Sequence, residues 1–214
     1  MKKIVIGSLA AVACSFVLSA AASADHHNNE WISMFNGRNL DGWKVNENKD
    51  SIGVDDGMMV IDGPIAHAFF VGADGKADFK DFHFQAQVKT MKGANSGIYF
   101  HTKFQDSGWP SKGYECQVNN THTDVKKTGG LYGIKDNFEA PAKDGEWFDY
   151  DIIVKGKHIV IKINDKTIVD YTEPDKAKRE GQFKDRLISS GTFAIQAHDP
   201  KSVVHYRNMR VKKL

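Results

Sequence analysis

From Phe82 to Thr90 the chain alternates. Phe82, Phe84, Ala86 and Val88 share one parity, and His83, Gln85, Gln87 and Lys89 share the other. A repeat of two is the period of a strand, so this segment is committed to a sheet with one face buried. The pattern recurs along the chain. Ile98 and Phe100 oppose Tyr99 and His101; Cys116 and Val118 oppose Glu115, Gln117 and Asn119. Tyr150–Lys155, Lys157–Ile163 and Thr167–Tyr171 are rich in β-branched residues and are separated by Gly156 and by Asn164-Asp165-Lys166. Gly and Asn accept the positive φ of tight hairpins, so these runs predict a three-stranded antiparallel meander. Met58–Ile61, Gly191–His198 and Val203–Val211 supply further strands. Helix signals are few. Pro174–Leu187 is polar and weakly helical, with Asp175 as a cap and Gly181 as a break, and is expected to be a surface excursion. Gln105–Lys112 and Asn120–Gly130 are rich in Gly, Ser, Thr and Asn and read as loops. Many short strands with few helices make the chain all-β, a sandwich or barrel.

The N-terminus reads differently. Lys2 and Lys3 precede an apolar run from Ile4 to Leu18, and Ala22-Ser23-Ala24 follows as a small-x-small site. This is the pattern of a secretory signal, too short to be a comfortable membrane span. The expected division is a signal over 1–24, a flexible tail over 25–30 holding His26 and His27, and a single domain over 31–214. The product would be exported, periplasmic or extracellular, with no stable membrane insertion. Lipid anchoring through Cys14 is the lesser alternative, because Phe16-Val17-Leu18 continue the apolar run and Ala11 replaces the preferred Leu. The formal net charge is +2, and the leader carries Lys2 and Lys3, so the remainder is close to neutral. No basic block points to nucleic acid. Past the leader Cys116 is alone, so no internal disulfide forms, and its place in a strand makes it a small buried residue rather than a nucleophile.

No metalloprotease helix, phosphate loop, nucleophile elbow or paired-cysteine zinc pattern is present. The chemistry resides instead in one parity of three strands: Tyr99 and His101; Glu115, Gln117 and Asn119; Gln196 and His198. If these strands are neighbours, their outward rows form a sheet face of amides, carboxylate, imidazole and phenol. Such a face binds sugars by hydrogen bonds and aromatic stacking. The alternative is an ordinary solvated face. Trp109, in the polar loop Asp106-Ser107-Gly108-Trp109-Pro110, is a candidate stacking residue, whereas Trp31, Trp43 and Trp147 are expected in the core.

An ordered set of motifs then marks a family. Met34-Phe35-Asn36-Gly37-Arg38-Asn39-Leu40-Asp41-Gly42-Trp43 resembles the opening "LFNGKDLSGW" of the 3-keto-disaccharide hydrolase domains. Asn95-Ser96-Gly97-Ile98-Tyr99-Phe100 resembles "NSGIFF", Glu115-Cys116-Gln117-Val118 resembles "EVQI", and Gly130-Leu131-Tyr132-Gly133 resembles "GALYG". Gly145-Glu146-Trp147, Ile163-Asn164-Asp165, Gln196-Ala197-His198 and Arg207-Asn208-Met209-Arg210-Val211 follow in family order. The chain departs from the pattern at His101, where Arg is usual, and at Asn119, where Asp is common.

The resemblance implies a concanavalin-A-like jelly roll of two antiparallel sheets, and action on 3-keto-glycosides such as 3-keto-disaccharides. A ketone at carbon three acidifies the hydrogen on carbon two. Loss of that proton expels the glycosidic oxygen, and water addition completes a net hydrolysis. The reaction needs a base, an acid and a group that polarises the ketone. Glu115 and His198 are the expected catalytic pair; Tyr99, His101, Trp109, Gln117, Asn119, Tyr132 and Gln196 are expected to bind substrate. Either no cofactor is required, or one divalent ion is held by Glu115, His101 and His198. A hydrolase or lyase acting on a small carbohydrate is the leading expectation. A non-catalytic carbohydrate-binding module and a secreted structural domain remain open, and His198 has the plain alternative of a strand-end histidine bonded to the Asp199-Pro200 turn.

Overall fold

The computed structural model describes residues 30–214. The leader, including Cys14, and the tail histidines His26 and His27 lie outside the described residues. Among the described residues thirteen strands follow in order: β1 (Ile32–Ser33), β2 (Trp43–Val45), β3 (Ile52–Asp55), β4 (Met58–Asp62), β5 (Ala66–Phe70), β6 (Phe82–Thr90) and β7 (Ser96–Thr102), then β8 (Tyr114–Val118), β9 (Phe148–Lys155), β10 (His158–Ile163), β11 (Lys166–Thr172), β12 (Thr192–Ala197) and β13 (Val203–Lys213). They form two antiparallel sheets. The larger runs β11-β10-β9-β6-β13-β4-β3, with β1 on the far end of β13; the smaller runs β2-β5-β12-β7-β8. This is the jelly-roll sandwich that the strand pattern and the resemblance imply. No helix of the described residues is long and apolar enough to cross a membrane.

The period of two places the core. In β6 the residues of the Phe82 parity are buried and those between them are partly open. The meander β9-β10-β11 forms as expected, and its second turn has Asn164 and Asp165 both at positive φ, the geometry that matches hairpin twist. Between the sheets Phe193 lies 5.3, 4.8 and 5.0 Å from the rings of Phe79, Phe82 and Phe84. Each such ring, fully buried, contributes about 1.5–3 kcal/mol by leaving water. Cys116 belongs to this core, and burial pushes its thiol well above the ordinary range.

Two tryptophans are not where their size suggests. Trp43 is buried and donates its indole N–H to Met34 O, but Trp31 and Trp147 lie half-buried outside the core. Arg210 covers Trp31 at 4.4 Å and Arg207 covers Trp147 at 4.0 Å. Cation–π stacking under a guanidinium thus replaces core packing for both rings.

The smaller sheet is closed on both faces. Every residue of β7, β8 and β12 is buried, although only one face of each meets the core. The cover comes from loops. Residues 129–132 pair along the free edge of β8, with Gln117 N–H to Gly130 O and Tyr132 N–H to Glu115 O, both at 2.9 Å. The 174–187 segment is the expected surface excursion, with most of its residues exposed until Arg186, but it is not a weak helix. It holds a short 3-10 turn at Gly181–Phe183, Asp175 pairs with Lys157 rather than capping, and the chain then runs inward.

Candidate active site

Strands β12, β7 and β8 are neighbours, with Ala194 opposite Tyr99 and Tyr99 opposite Glu115. Their outward rows therefore meet in one place. A cleft of about 480 Å³ is lined there by Tyr99, Glu115, Gln117, Gln196 and His198, with Trp109 and Tyr132 arriving on loops. Residues 181–186 close a further side.

Two of the expected site residues are directed elsewhere. The β7–β12 register slips between Thr192 and Ala194, giving β7 one extra residue, and His101 takes φ 55°. A bulge of this kind re-aims a side chain. The His101 ring turns inward against Phe82, donates Nε2–H to Lys80 O at 2.8 Å, and accepts Ser189 N–H at Nδ1. Burial lowers its pKa, against the opposing pull of the Lys80 carbonyl. With both nitrogens engaged, His101 neither lines the cleft nor joins Glu115 and His198 around an ion. Asn119 is fully buried and holds its loop instead: Nδ2 donates to Asp124 O and Lys126 O, and Oδ1 accepts His122 N–H.

Arg186 enters unannounced by the sequence. Its Nη2 stands 2.9 Å from Glu115 Oε2, and its Nη1 donates to Tyr132 O. The rings of Phe183 and Tyr132 flank the guanidinium at 4.9 and 5.5 Å. The ion pair is almost wholly shielded, with side-chain exposures of 7% for Glu115 and 10% for Arg186. Gln196 Nε2 donates to Glu115 Oε1 and to Tyr99 Oη. Burial first, and the nearby Glu115 charge second, push the Tyr99 phenol well above its ordinary range, so it keeps its proton.

The amides have a fixed polarity. Gln196 Nε2 faces a carboxylate, which only accepts, so its Oε1 is the free atom. For Gln117 the direction is set at a distance. Asp124 N–H donates to His122 Nδ1, Asn95 Nδ2 faces the same nitrogen, and Asn95 Oδ1 accepts Gln117 Nε2. A backbone N–H can only donate, so each link of this chain has one allowed orientation. Gln117 Oε1 and Gln196 Oε1 are left buried without partners. Two carbonyl oxygens shut from water and without a donor are unmet acceptors, open to a hydroxyl only if the side chains around them give way.

His198 Nδ1 lies 2.8 Å from Asp199 Oδ2. Donation to the carboxylate leaves the neutral ring with its lone pair on Nε2. Burial acts against the ionised Asp199, but hydrogen bonds from Ser202, His198 and the Lys201 N–H prevail and hold it down to about 2. The plain alternative for His198 is therefore half right: the turn bond exists, yet the ring also lines the cleft. His122, His198 and Asp199 bring ligand atoms within 4.8 Å of one another, which raises a metal site different from the expected one. The donor set does not fit an ion as arranged. With Nδ1 of His122 accepting Asp124 N–H, the proton of the neutral ring sits on Nε2, the atom that points toward Asp199.

A family model for 3-keto-α-glucoside-1,2-lyase-like domains matches residues 30–212. The chain belongs to this family. No curated protein matches it. Among solved structures, a "putative glycosyl hydrolase" from Parabacteroides distasonis superposes with a TM-score of 0.71 at 20% identity, covering 86% of this chain and 94% of that one. A second from the same organism gives 0.66 at 21% identity, covering 87% and 100%. The carbohydrate binding module CBM66 from Bacillus subtilis gives 0.50 at 15%, covering 86% and 95%. At these identities the lyase-like domain shares a fold with them, and its own residues must carry the argument on function.

Proposed function

We propose that this lyase-like domain cleaves glycosides bearing a ketone at carbon three, by elimination across carbons one and two followed by hydration. The observation that carries the reading is His198. Its Nδ1 is tied to Asp199, and its Nε2 lone pair belongs to the same cleft as the Glu115–Arg186 pair and two unpartnered amide oxygens.

His198 Nε2 takes the proton from carbon two, and the electron pair passes toward the ketone oxygen. Arg186 and the protonated Tyr99 hydroxyl stabilise the charge that develops there, in a site where water is largely excluded. The enolate then expels the glycosidic oxygen from carbon one, and that oxygen takes the proton back from His198. Water adds across the double bond, placing hydroxyl on carbon one and hydrogen on carbon two. Glu115 has a different role from the complementary acid of the opening expectation: it anchors Arg186 and accepts from Gln196. Gln117 and Gln196 accept sugar hydroxyls, and Trp109 and Tyr132 bound the ring.

The test is incubation with 4-nitrophenyl 3-keto-glucosides of both anomers in deuterated water. Nitrophenol release with deuterium at carbon two supports the reading. Release with hydrogen retained there would establish direct hydrolysis. The rival is a non-catalytic sugar-binding module, favoured by the fold shared with a protein named as one. It predicts binding without release.

A further inference from the structure

One imidazole beside the cleft has no assigned task. His67 lies on β5, paired with Gln196 of β12, and none of its surface is exposed. Both ring nitrogens are buried without a hydrogen-bond partner. A neutral imidazole carries one donor and one acceptor, and burying both unmet is unfavourable. Six other buried side chains leave one polar atom unmet, but among the described residues His67 alone leaves two.

Of the rings packed against His67, those of Phe69 and Tyr99 are buried and that of Trp109 is open to solvent. Trp109 sits edge-on to it at 5.5 Å, and the opposite contact of Trp109 is His198 at 5.4 Å. Trp109 is 44% exposed. Its loop is largely self-contained: Gln105 Nε2 donates to Ser107 O, Gly108 O and Trp109 O, and Gln105 Oε1 accepts Ser111 N–H. The tie to the body is Gly108 N–H to Glu47 Oε1. The cleft wall at this point is Tyr99, Trp109, Gln196 and His198, and His67 touches the first two from behind.

We propose that His67 is a hidden sugar-binding residue, uncovered when Trp109 swings aside, and that its two nitrogens then bind hydroxyls of a second sugar ring. The cleft in this state extends past His198 beneath the Trp109 loop. A neutral imidazole with one donor and one acceptor matches two neighbouring hydroxyls, one accepting and one donating. The proposal rests on the sugar-directed reading above and narrows it to substrates whose leaving group is itself a sugar.

The test uses maltose and cellobiose, which lack the ketone and so bind without turnover, with His67→Phe as the variant. Phenylalanine retains the ring contacts and removes both unmet nitrogens. The melting temperature of His67→Phe should hold or rise, while disaccharide affinity falls about tenfold or more. In the wild type, disaccharide should shift the ring ¹⁵N resonances of His67, and Trp109→Ala should speed acylation of His67 by diethyl pyrocarbonate. Equal affinity of wild type and His67→Phe, or His67 resonances unmoved at saturation, would overturn the proposal and leave the sugar-directed reading standing. Absence of binding by both proteins would remove that reading and this proposal together.

Discussion

Glu115 and Arg186 are 71 residues apart in the chain, yet Arg186 Nη2 rests 2.9 Å from Glu115 Oε2 in a pair that water scarcely reaches. The charge of each is stranded if the other is removed. Glu115→Gln and Arg186→Met should each lower unfolding free energy by about 3–5 kcal/mol, the usual cost of breaking a buried pair. The double variant should recover much of that loss, because no lone charge remains. Urea unfolding of the four proteins checks this. Additive losses in the double variant would show that the two side chains act independently.

Gly97, on β7, lets that carboxylate approach. A β-carbon there would stand 2.9 Å from Glu115 Oε1 and 3.1 Å from its Cγ. The clash is with the end of a side chain, so the fold can absorb it by moving Glu115. Gly97→Ala should therefore shift the melting temperature by only a few degrees, equivalent to about 1 kcal/mol, and should weaken ligand binding more than it weakens the fold. Calorimetry and thermal melting on the same samples separate the two effects.

Acid should act on His67. Burial first, and the nearby His198 second, lower it from 6.5 to about 3. The unfolded chain takes up this proton near pH 6.5 and the folded protein only near 3. Between those values the unfolded state binds more protons, so stability is full above the window and falls as pH drops through it, by at most about 4–5 kcal/mol. In His67→Phe that part of the acid slope should vanish. Melting curves from pH 7 to pH 4 for both proteins measure it; parallel slopes would show that the imidazole is not held neutral by the fold.

Asp199 is expected to act through His198 rather than on substrate. Asp199→Asn removes the carboxylate that fixes the imidazole, and kcat should fall by about a hundredfold or more with KM little changed. A rise in KM at constant kcat would make Asp199 a binding residue instead.

Much of this architecture is legible in the chain because its physics is local. The alternation from Phe82 to Val88 fixes which face of β6 is buried, and Asn164-Asp165 fixes a turn, with no knowledge of the remainder. The shared parity of Glu115 and Gln117 likewise places both on one face. What is not legible depends on partners far away. His101 leaves the cleft because of one extra residue opposite Phe193, and a bulge has no signature in a run that otherwise alternates. Arg186 looks like one more charge in a polar stretch until Glu115 and the two flanking rings are beside it. Trp31 and Trp147 suggest core by size, and only the arginines stacked on them explain their place outside it. His67 lies in an apolar run, Ala66-His67-Ala68-Phe69-Phe70, where nothing marks it as a neighbour of Gln196.

The central claim is that the cleft performs chemistry through His198, and His198→Ala tests it most directly. Nitrophenol release from a 3-keto-glucoside should drop by about 10²–10⁴-fold, while affinity for the uncleaved sugar stays within a few-fold of wild type. Turnover that survives the substitution, or affinity that collapses together with turnover, would contradict the account.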